Sequence, residues 1–333
     1  MSNIKAIALV STGLDSMLAA KIVRNQGIDV TGLHCYFRFD PLEPDDPSGQ
    51  VKSVFDPLGI PVIVKDVSDD FLKMVLDPPH GHGKNLNPCI DCKIFFISLA
   101  KKMMEEIGAK FIVTGEVVGQ RPMSQMKPTL QHIQKEAEVK GLILRPLSAL
   151  LLKETLPEKE GWVDRNGLYG ISGRSRKDQM EIAGTLGIQT YNQPAGGCIL
   201  TIPEYANRAK RLFQNRGKDS ISLSDMRKLR LGRHLWPSDH LHVIVGRKEE
   251  ENDMLMKLAE EDWRFEAEDI AGPLVLATGI ASDEDIRTVA SITARYCGHK
   301  AEGEVRVSYT HQNKTDEIVV QKTDLAIPAS WIV

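Results

Sequence analysis

Cysteine is scarce in this chain, with five among 333 residues. An odd count at so low a density excludes a disulfide scaffold, so each thiol must be read as chemistry or as core. An excess of one charge is lacking too. Lys and Arg number 42, Asp and Glu 45, and the formal net charge is −3, which excludes a wholly basic nucleic-acid coat but not a local basic face. No apolar run approaches the roughly 18 residues that a membrane span needs. The opening MSNIKAIALVSTG holds only a short apolar run that leads into a glycine turn. No signal peptide and no membrane partner are therefore expected, and a cytoplasmic location is. Internal repeats and low-complexity segments are also missing. What remains, 42% apolar and 26% charged residues, is the mix of a globular chain long enough for one large domain or two ordinary ones.

Residues 4–10 read as a buried parallel strand, 14–26 as a helix with Leu18, Ala19, Ile22 and Val23 on one face, and 30–37 as the next strand. Short apolar strands near 61–64 and 110–114, with a helix over 94–107 between them, continue the alternation. Such a pattern predicts an α/β fold, a doubly wound parallel sheet with helices on both faces and the reactive site at the carboxyl ends of the strands. After about residue 204 the character changes. Residues 205–247 carry ten basic and three acidic side chains, and 248–269 carry three basic and ten acidic. Strand-like runs at 274–277, 304–309 and 317–321 surround a helix near 283–296. The expected division is a first domain over 1–204 and a second, smaller α+β domain over 205–333.

The turn after the first strand, Ser11-Thr12-Gly13-Leu14-Asp15-Ser16, is the most informative stretch. Small residues let backbone N–H groups approach an anion, the helix start adds its positive dipole end, and Asp15 can hold magnesium beside phosphates. A plain strand–helix turn with Asp15 or Ser16 as a cap would use the same residues. A Walker loop is excluded, because no Gly-Lys-Ser/Thr follows at the required spacing.

The segment resembles the Ser-Gly-Gly-x-Asp-Ser loop of the N-type ATP pyrophosphatases (the PP-loop family), with Thr12 in place of the first glycine. The resemblance implies an adenine nucleotide alpha hydrolase-like fold, ATP and Mg2+ as cofactors, and nucleotide contacts from Ser11, Thr12, Gly13, Leu14, Asp15, Ser16 and His34. Residues 113–120 with Ser124-Gln125 are similar to the Thr-Gly-Glu-x-x-Gly-Gln…Ser-Gln segment of tRNA 4-thiouridine synthetases, which implies ATP-site roles for Gly115 and Gln120. Leu144-Arg145-Pro146-Leu147 followed by Lys153-Glu154 resembles a further stretch of the same enzymes. Asn87-Pro88-Cys89-Ile90-Asp91-Cys92 is similar to a motif of tRNA 2-thiouridylases. No THUMP or rhodanese domain of the kind found beside such loops is present in this sequence.

Cys89 and Cys92 form a Cys-x-x-Cys pair, and Cys198 follows a glycine pair in Pro194-Ala195-Gly196-Gly197-Cys198. Four assignments are open, one of them a redox dithiol at Cys89 and Cys92 with Cys198 as a bystander. The triad Cys89, Cys92 and Cys198 could hold a [4Fe–4S] cluster, as in the cluster-dependent tRNA thiolases the chain resembles. Cys89 and Cys198 could be a persulfide and resolving pair. A zinc site would need His80 or His82 as a further ligand. Cys35, in an apolar strand, and Cys297, near a helix end, are expected to be core.

Lys210, Arg211 and Arg216 open the basic segment, which ends in Leu231-Gly232-Arg233-His234 and Ile244-Val245-Gly246-Arg247. A solvated face would look the same. The basic run suggests phosphate contacts from Lys210, Arg211 and Arg216, and the later part, with Asn252, resembles the RNA-binding domain of NFACT proteins, which implies RNA contacts from Arg233 and Arg247. The expected function is an ATP-dependent tRNA sulfurtransferase that adenylates a uridine carbonyl oxygen and replaces it with sulfur. Asp15, Cys89 and Cys198 would be catalytic, and tRNA and a sulfide or persulfide donor would be the partners. The alternatives are a PP-loop sulfur transferase or ligase acting on a small molecule, and a non-catalytic RNA-binding protein with a decayed loop.

Overall fold

The computed structural model describes residues 4–191, 197–298, 303–322 and 327–333. The chain divides into two compact units, Met1–Phe37 with Pro44–Cys198, and Arg38–Glu43 with Ile199–Val333.

The first unit alternates as the apolar runs predict. β1 (Lys5–Leu9), α1 (Leu14–Asn25), β2 (Asp29–Tyr36), α2 (Ser48–Phe55), β3 (Val62–Asp66) and α3 (Ser68–Leu76) form its first half. α4 (Cys89–Glu106), β4 (Phe111–Thr114), α5 (Lys127–Glu136), β5 (Ile143–Leu144), α6 (Leu156–Lys159) and α7 (Lys177–Thr185) complete it. The strands form one sheet in the order β3-β2-β1-β4-β5. Every pairing is parallel, with Ala6 opposite Val30 on one side and Phe111 on the other. Successive β1 side chains serve opposite faces. Ala6 and Ala8 pack with Leu14, Leu18 and Ile182, whereas Ile7 packs with Ile97, Ile112 and Ile133. Both faces are therefore covered, as a parallel sheet requires. The chain leaves β1 toward β2 and later returns on its other side as β4, so the crevice at the carboxyl ends of β1 and β4 is the switch point where such sheets bind ligands.

α4 begins five residues earlier than the periodicity suggests, at Cys89 rather than Ile94. Pro88 stands just before its first turn and Asp91 lies within that turn. Both favour a helix start but contribute no apolar face.

The second unit contains α8 (Pro203–Arg216), α9 (Leu223–Lys228), β6 (Arg233–Leu235), β7 (His242–Val245) and α10 (Glu249–Leu258). β8 (Trp263–Ala267), β9 (Val275–Thr278), α11 (Asp283–Tyr296), β10 (Glu304–His311) and β11 (Lys314–Gln321) follow. Its sheet is antiparallel, in the order β11-β10-β8-β9-β7-β6. One core joins Val243, Phe265 and Val307 to Val289 and Ile292 of α11, and another joins Ile244 and Leu276 to Leu255 and Leu258 of α10. The basic–acidic alternation of the sequence resolves into buried pairs: Lys228 lies 2.8 Å from Asp262 and 3.6 Å from Asp225. Cys297 is buried, as expected. Among the described residues no helix is long and apolar enough to cross a membrane.

Candidate active site

The loop after β1 closes on itself. The Ser16 hydroxyl donates to the Ser11 carbonyl at 2.7 Å and to the Gly13 carbonyl at 2.9 Å, while the Ser11 amide donates to Ser16 Oγ at 3.0 Å. Thr12 has no left-handed backbone, so a threonine in place of glycine costs no backbone strain here. Leu14 is fully buried in the core, which leaves its backbone amide as what it can offer a phosphate. Gly115 is required by close approach: a Cβ there would meet Asp15 C and O and Ser16 N at 2.6 Å. The end of β4 thus rests directly on the first turn of α1.

A cavity of about 340 Å³ opens beside this contact, with Ser11, Asp15 and Ser16 on one wall and Cys92, Lys93 and Glu116 on another. Asp15 Oδ2 accepts from Gln120 Nε2 at 3.0 Å. Its Oδ1 is buried with no hydrogen-bond partner. An orphaned carboxylate oxygen in a phosphate-type loop is what a magnesium ion would satisfy.

Glu116 is the electrostatic centre of the opposite wall. Lys93 Nζ lies 3.2 Å from Oε1, Arg145 Nε donates to Oε2 at 2.9 Å, and the Thr114 hydroxyl donates to Oε2 at 3.1 Å. Burial alone would push this carboxyl up, but the two cations outweigh it and hold it down at about 2. Sequence reasoning missed Lys93, whose role appears only once the fold brings α4 beside the end of β4.

Cys92 lines the cavity, one helical turn beyond Cys89 at the start of α4. Asn87 Nδ2 lies 3.2 Å from Cys89 Sγ. Cys198 is exposed, and Pro194, Ala195 and Gly196 of its motif lie outside the described residues. Burial pushes the Cys92 thiol up to about 12, and the negative charge of the Cys198 and Cys89 thiolates would add to that effect. Cys89 and Cys198 therefore both lie within electrostatic reach of Cys92. Among the described residues no three Cys, His, Asp or Glu side chains stand together at metal-ligand distance. The histidines weighed for zinc have other contacts. His80 bonds Asp91 at 2.7 Å and His132 at 2.9 Å, and His82 bonds the Val75 carbonyl at 2.8 Å.

One expectation on β2 needs revision. The cavity takes Leu33 and Cys35 from this strand and not His34, because alternate side chains point to opposite faces. His34 Nδ1 instead lies 3.1 Å from the Val10 carbonyl, and burial lowers its pKa. Cys35, expected to be core, packs half-buried against the core cluster of Ile7 and Ile97 and also lines the cavity.

In the second unit Lys210 and Arg233 are exposed, and the Arg233 guanidinium sits 5.2 Å above the Tyr296 ring. Arg211 pairs with Asp239 at 3.2 Å. Arg216 is held by Asp225 at 2.8 Å and by the Ser220 carbonyl. Arg247 is clamped by Glu251 through both its backbone and its side chain. Gly246 has no room for a Cβ beside the Asn252 side chain, whose oxygen accepts from the Leu274 amide at 3.3 Å. The Gly-Arg…Asn signature of this unit is thus a folded corner of its sheet.

Residues 4–157 match the family model described as the tRNA methyl transferase HUP domain, and residues 232–332 match the NFACT protein RNA binding domain. The chain is thus similar to a HUP domain in its first half and to an NFACT-type domain near its end. The similar curated proteins are thiolation enzymes, so the family read from the motifs is borne out. A tRNA-specific 2-thiouridylase MnmA of Desulfosudis oleivorans is 32% identical over 119 residues, 34% of this chain and 32% of that protein. The corresponding protein of Cutibacterium acnes is 24% identical over 258 residues, 73% of this chain and 66% of that protein. The chain thus spans between about a third and two thirds of the relatives it matches. A 4-thiouridine synthetase–RNA complex with bound ATP covers 60% of this chain and 45% of its own, at 22% identity and a TM-score of 0.39.

Proposed function

We propose that this protein is an ATP-dependent tRNA sulfurtransferase. The supporting observation is that one cavity joins the PP-loop carboxylate Asp15 to Cys92 of the Cys-x-x-Cys pair. Nucleotide activation and sulfur delivery are thereby given a common space. ATP would lie over Ser11–Ser16, its phosphates received by loop amides and hydroxyls, with magnesium on Asp15 Oδ1. Gln120 orients that carboxylate. The uridine carbonyl oxygen attacks the α-phosphate and expels pyrophosphate, and the adenylated oxygen then leaves as AMP when sulfur adds to the carbon. Lys93 stands at the wall to balance the charge developing on the phosphoryl oxygens. The second unit would supply part of the tRNA contact through Lys210, Arg211 and Arg233, with Arg216 and Arg247 held back by their carboxylates.

The thiol set Cys89, Cys92 and Cys198 suits a [4Fe–4S] cluster by donor chemistry, with Cys89 and Cys198 both near enough to Cys92 to influence its charge. These three thiolates would hold the cluster, and the chemistry it would supply is an iron able to carry sulfide. The donor set favours this over zinc, because His80 and His82 are engaged elsewhere.

The test uses anaerobically prepared full-length protein. About four irons per chain and a visible-region absorbance are expected, with both lost in Cys92→Ala and Cys198→Ala. Incubation with ATP, sulfide and unmodified tRNA should yield thiouridine by nucleoside mass spectrometry. Thiolation without iron would transfer the role to a persulfide. ATP turnover that ignores tRNA would favour a small-molecule substrate.

A further inference from the structure

A second cavity, of about 540 Å³, lies along the edge strand β5, between α5 and the segment 153–159. Its rim is basic: Lys127, Lys135, Lys140, Lys153 and Lys159 all line it. None of these lysines forms an ion pair among the described residues. Two glutamates also line it, but Glu158 is already committed to capping Thr155 and to Arg165. Glu154 is left facing five cations.

Lysines beside an edge strand would ordinarily be explained as guards against strand pairing. Arg145 goes beyond that explanation. It also lines the cavity, is 2% exposed, and uses Nε on Glu116, while its Nη2 is buried without a hydrogen-bond partner. A buried guanidinium N–H left unpaired is a costly arrangement that a guard role does not need and that an anionic ligand would relieve.

We propose that this cavity binds backbone phosphates of the tRNA substrate, with Lys127, Lys135 and Lys140 as the flexible cations around it and the buried Arg145 guanidinium as a fixed positive charge in its wall. The proposal rests on the sulfurtransferase reading above, since it takes RNA as the substrate. Lysine suits this task as a point charge that follows a phosphate without fixed geometry. Because Arg145 also holds Glu116, a phosphate bound here is anchored one residue away from the wall of the nucleotide cavity. RNA would then be gripped at the domain that performs the chemistry, as well as by the NFACT-type unit.

The experiment compares full-length wild-type protein with the triple variant Lys127→Gln, Lys135→Gln, Lys140→Gln. Binding of an unmodified tRNA transcript is measured by fluorescence anisotropy from 50 to 200 mM salt, and ATP affinity is measured in parallel. Loss of three phosphate contacts should weaken tRNA binding about tenfold or more and lower the slope of log K against log[salt] by about two to three. ATP affinity should not change. Wild-type-like binding and slope in the variant would overturn this proposal and leave the sulfurtransferase reading standing. A parallel loss of ATP affinity would also overturn it, by assigning the lysines to nucleotide phosphates. Wild-type protein that binds no tRNA would remove the sulfurtransferase reading and this proposal with it.

Discussion

Asp15 has one carboxylate oxygen engaged by Gln120 and one that is buried and unmet. Replacing it with Asn keeps the shape and removes the charge, so Asp15→Asn should fold normally and lose pyrophosphate release by about 100-fold or more. A pyrophosphate-coupled assay checks this, and undiminished turnover would remove Asp15 from the mechanism. Arg145 poses a different question. Arg145→Met leaves Glu116 with only Lys93 to balance it, and loss of one partner of a buried pair costs about 3–5 kcal/mol. Denaturant unfolding should show that loss, and adding Glu116→Gln should restore most of it. Asp15 was legible in the sequence because its neighbours, order and place after a strand all carry the loop's chemistry. Lys93 was not, since its partner Glu116 lies 23 residues further on and only the parallel sheet brings them together. His34 falls outside the cavity lining for a simple reason: a strand's two faces look alike until the ligand crevice is known to lie on one of them.

The most constrained junction between elements is the contact of β4 with α1 at Gly115. An Ala there would place Cβ 2.6 Å from backbone atoms that cannot move without shifting the loop. Gly115→Ala should cost about 1–3 kcal/mol, lower the melting temperature by about 2–4 °C for each of those, and weaken ATP binding along with stability. Calorimetry paired with ATP titration tests the coupling; a stable variant with impaired ATP binding would show that the glycine faces nucleotide instead. Strand–helix alternation in the first unit could be read from apolar runs, because buried parallel strands are nearly continuous Val, Ile and Leu. The start of α4 could not, because Cys89, Ile90, Asp91 and Cys92 open the helix before its apolar face begins. In the second unit the strands β6, β7 and β8 are short and interleaved with charged helices, so their pairing emerges only from the sheet.

At the scale of the molecule, the sequence's local charge swings invited a basic RNA face, and the structure sorts those cations into two kinds. Arg216 and Arg247 are held by carboxylates within the fold. Lys210 is exposed and Arg211 pairs with Asp239, itself 91% exposed, a contact of little energetic weight. Charge reversal at Lys210, Arg211 and Arg233 should therefore weaken tRNA binding and flatten its salt dependence with ATP affinity intact, whereas reversal at Arg216 should chiefly unfold the second unit. Filter binding at two salt concentrations separates these outcomes. The linear reading that placed one domain after another had no means of finding the strap Arg38–Glu43, which leaves the first unit after β2 and belongs by its contacts to the second. Its Phe39 is fully buried and its Asp40 lies 3.6 Å from Arg230. A gene cut after codon 198 would thus fail to separate the two units cleanly. The first fragment would keep a stretch whose burial it had lost, and the second would lack a piece of its own interior. Grafting this tail onto another enzyme would require carrying over a six-residue insert from the middle of its donor, so the two modules are best exchanged as a pair.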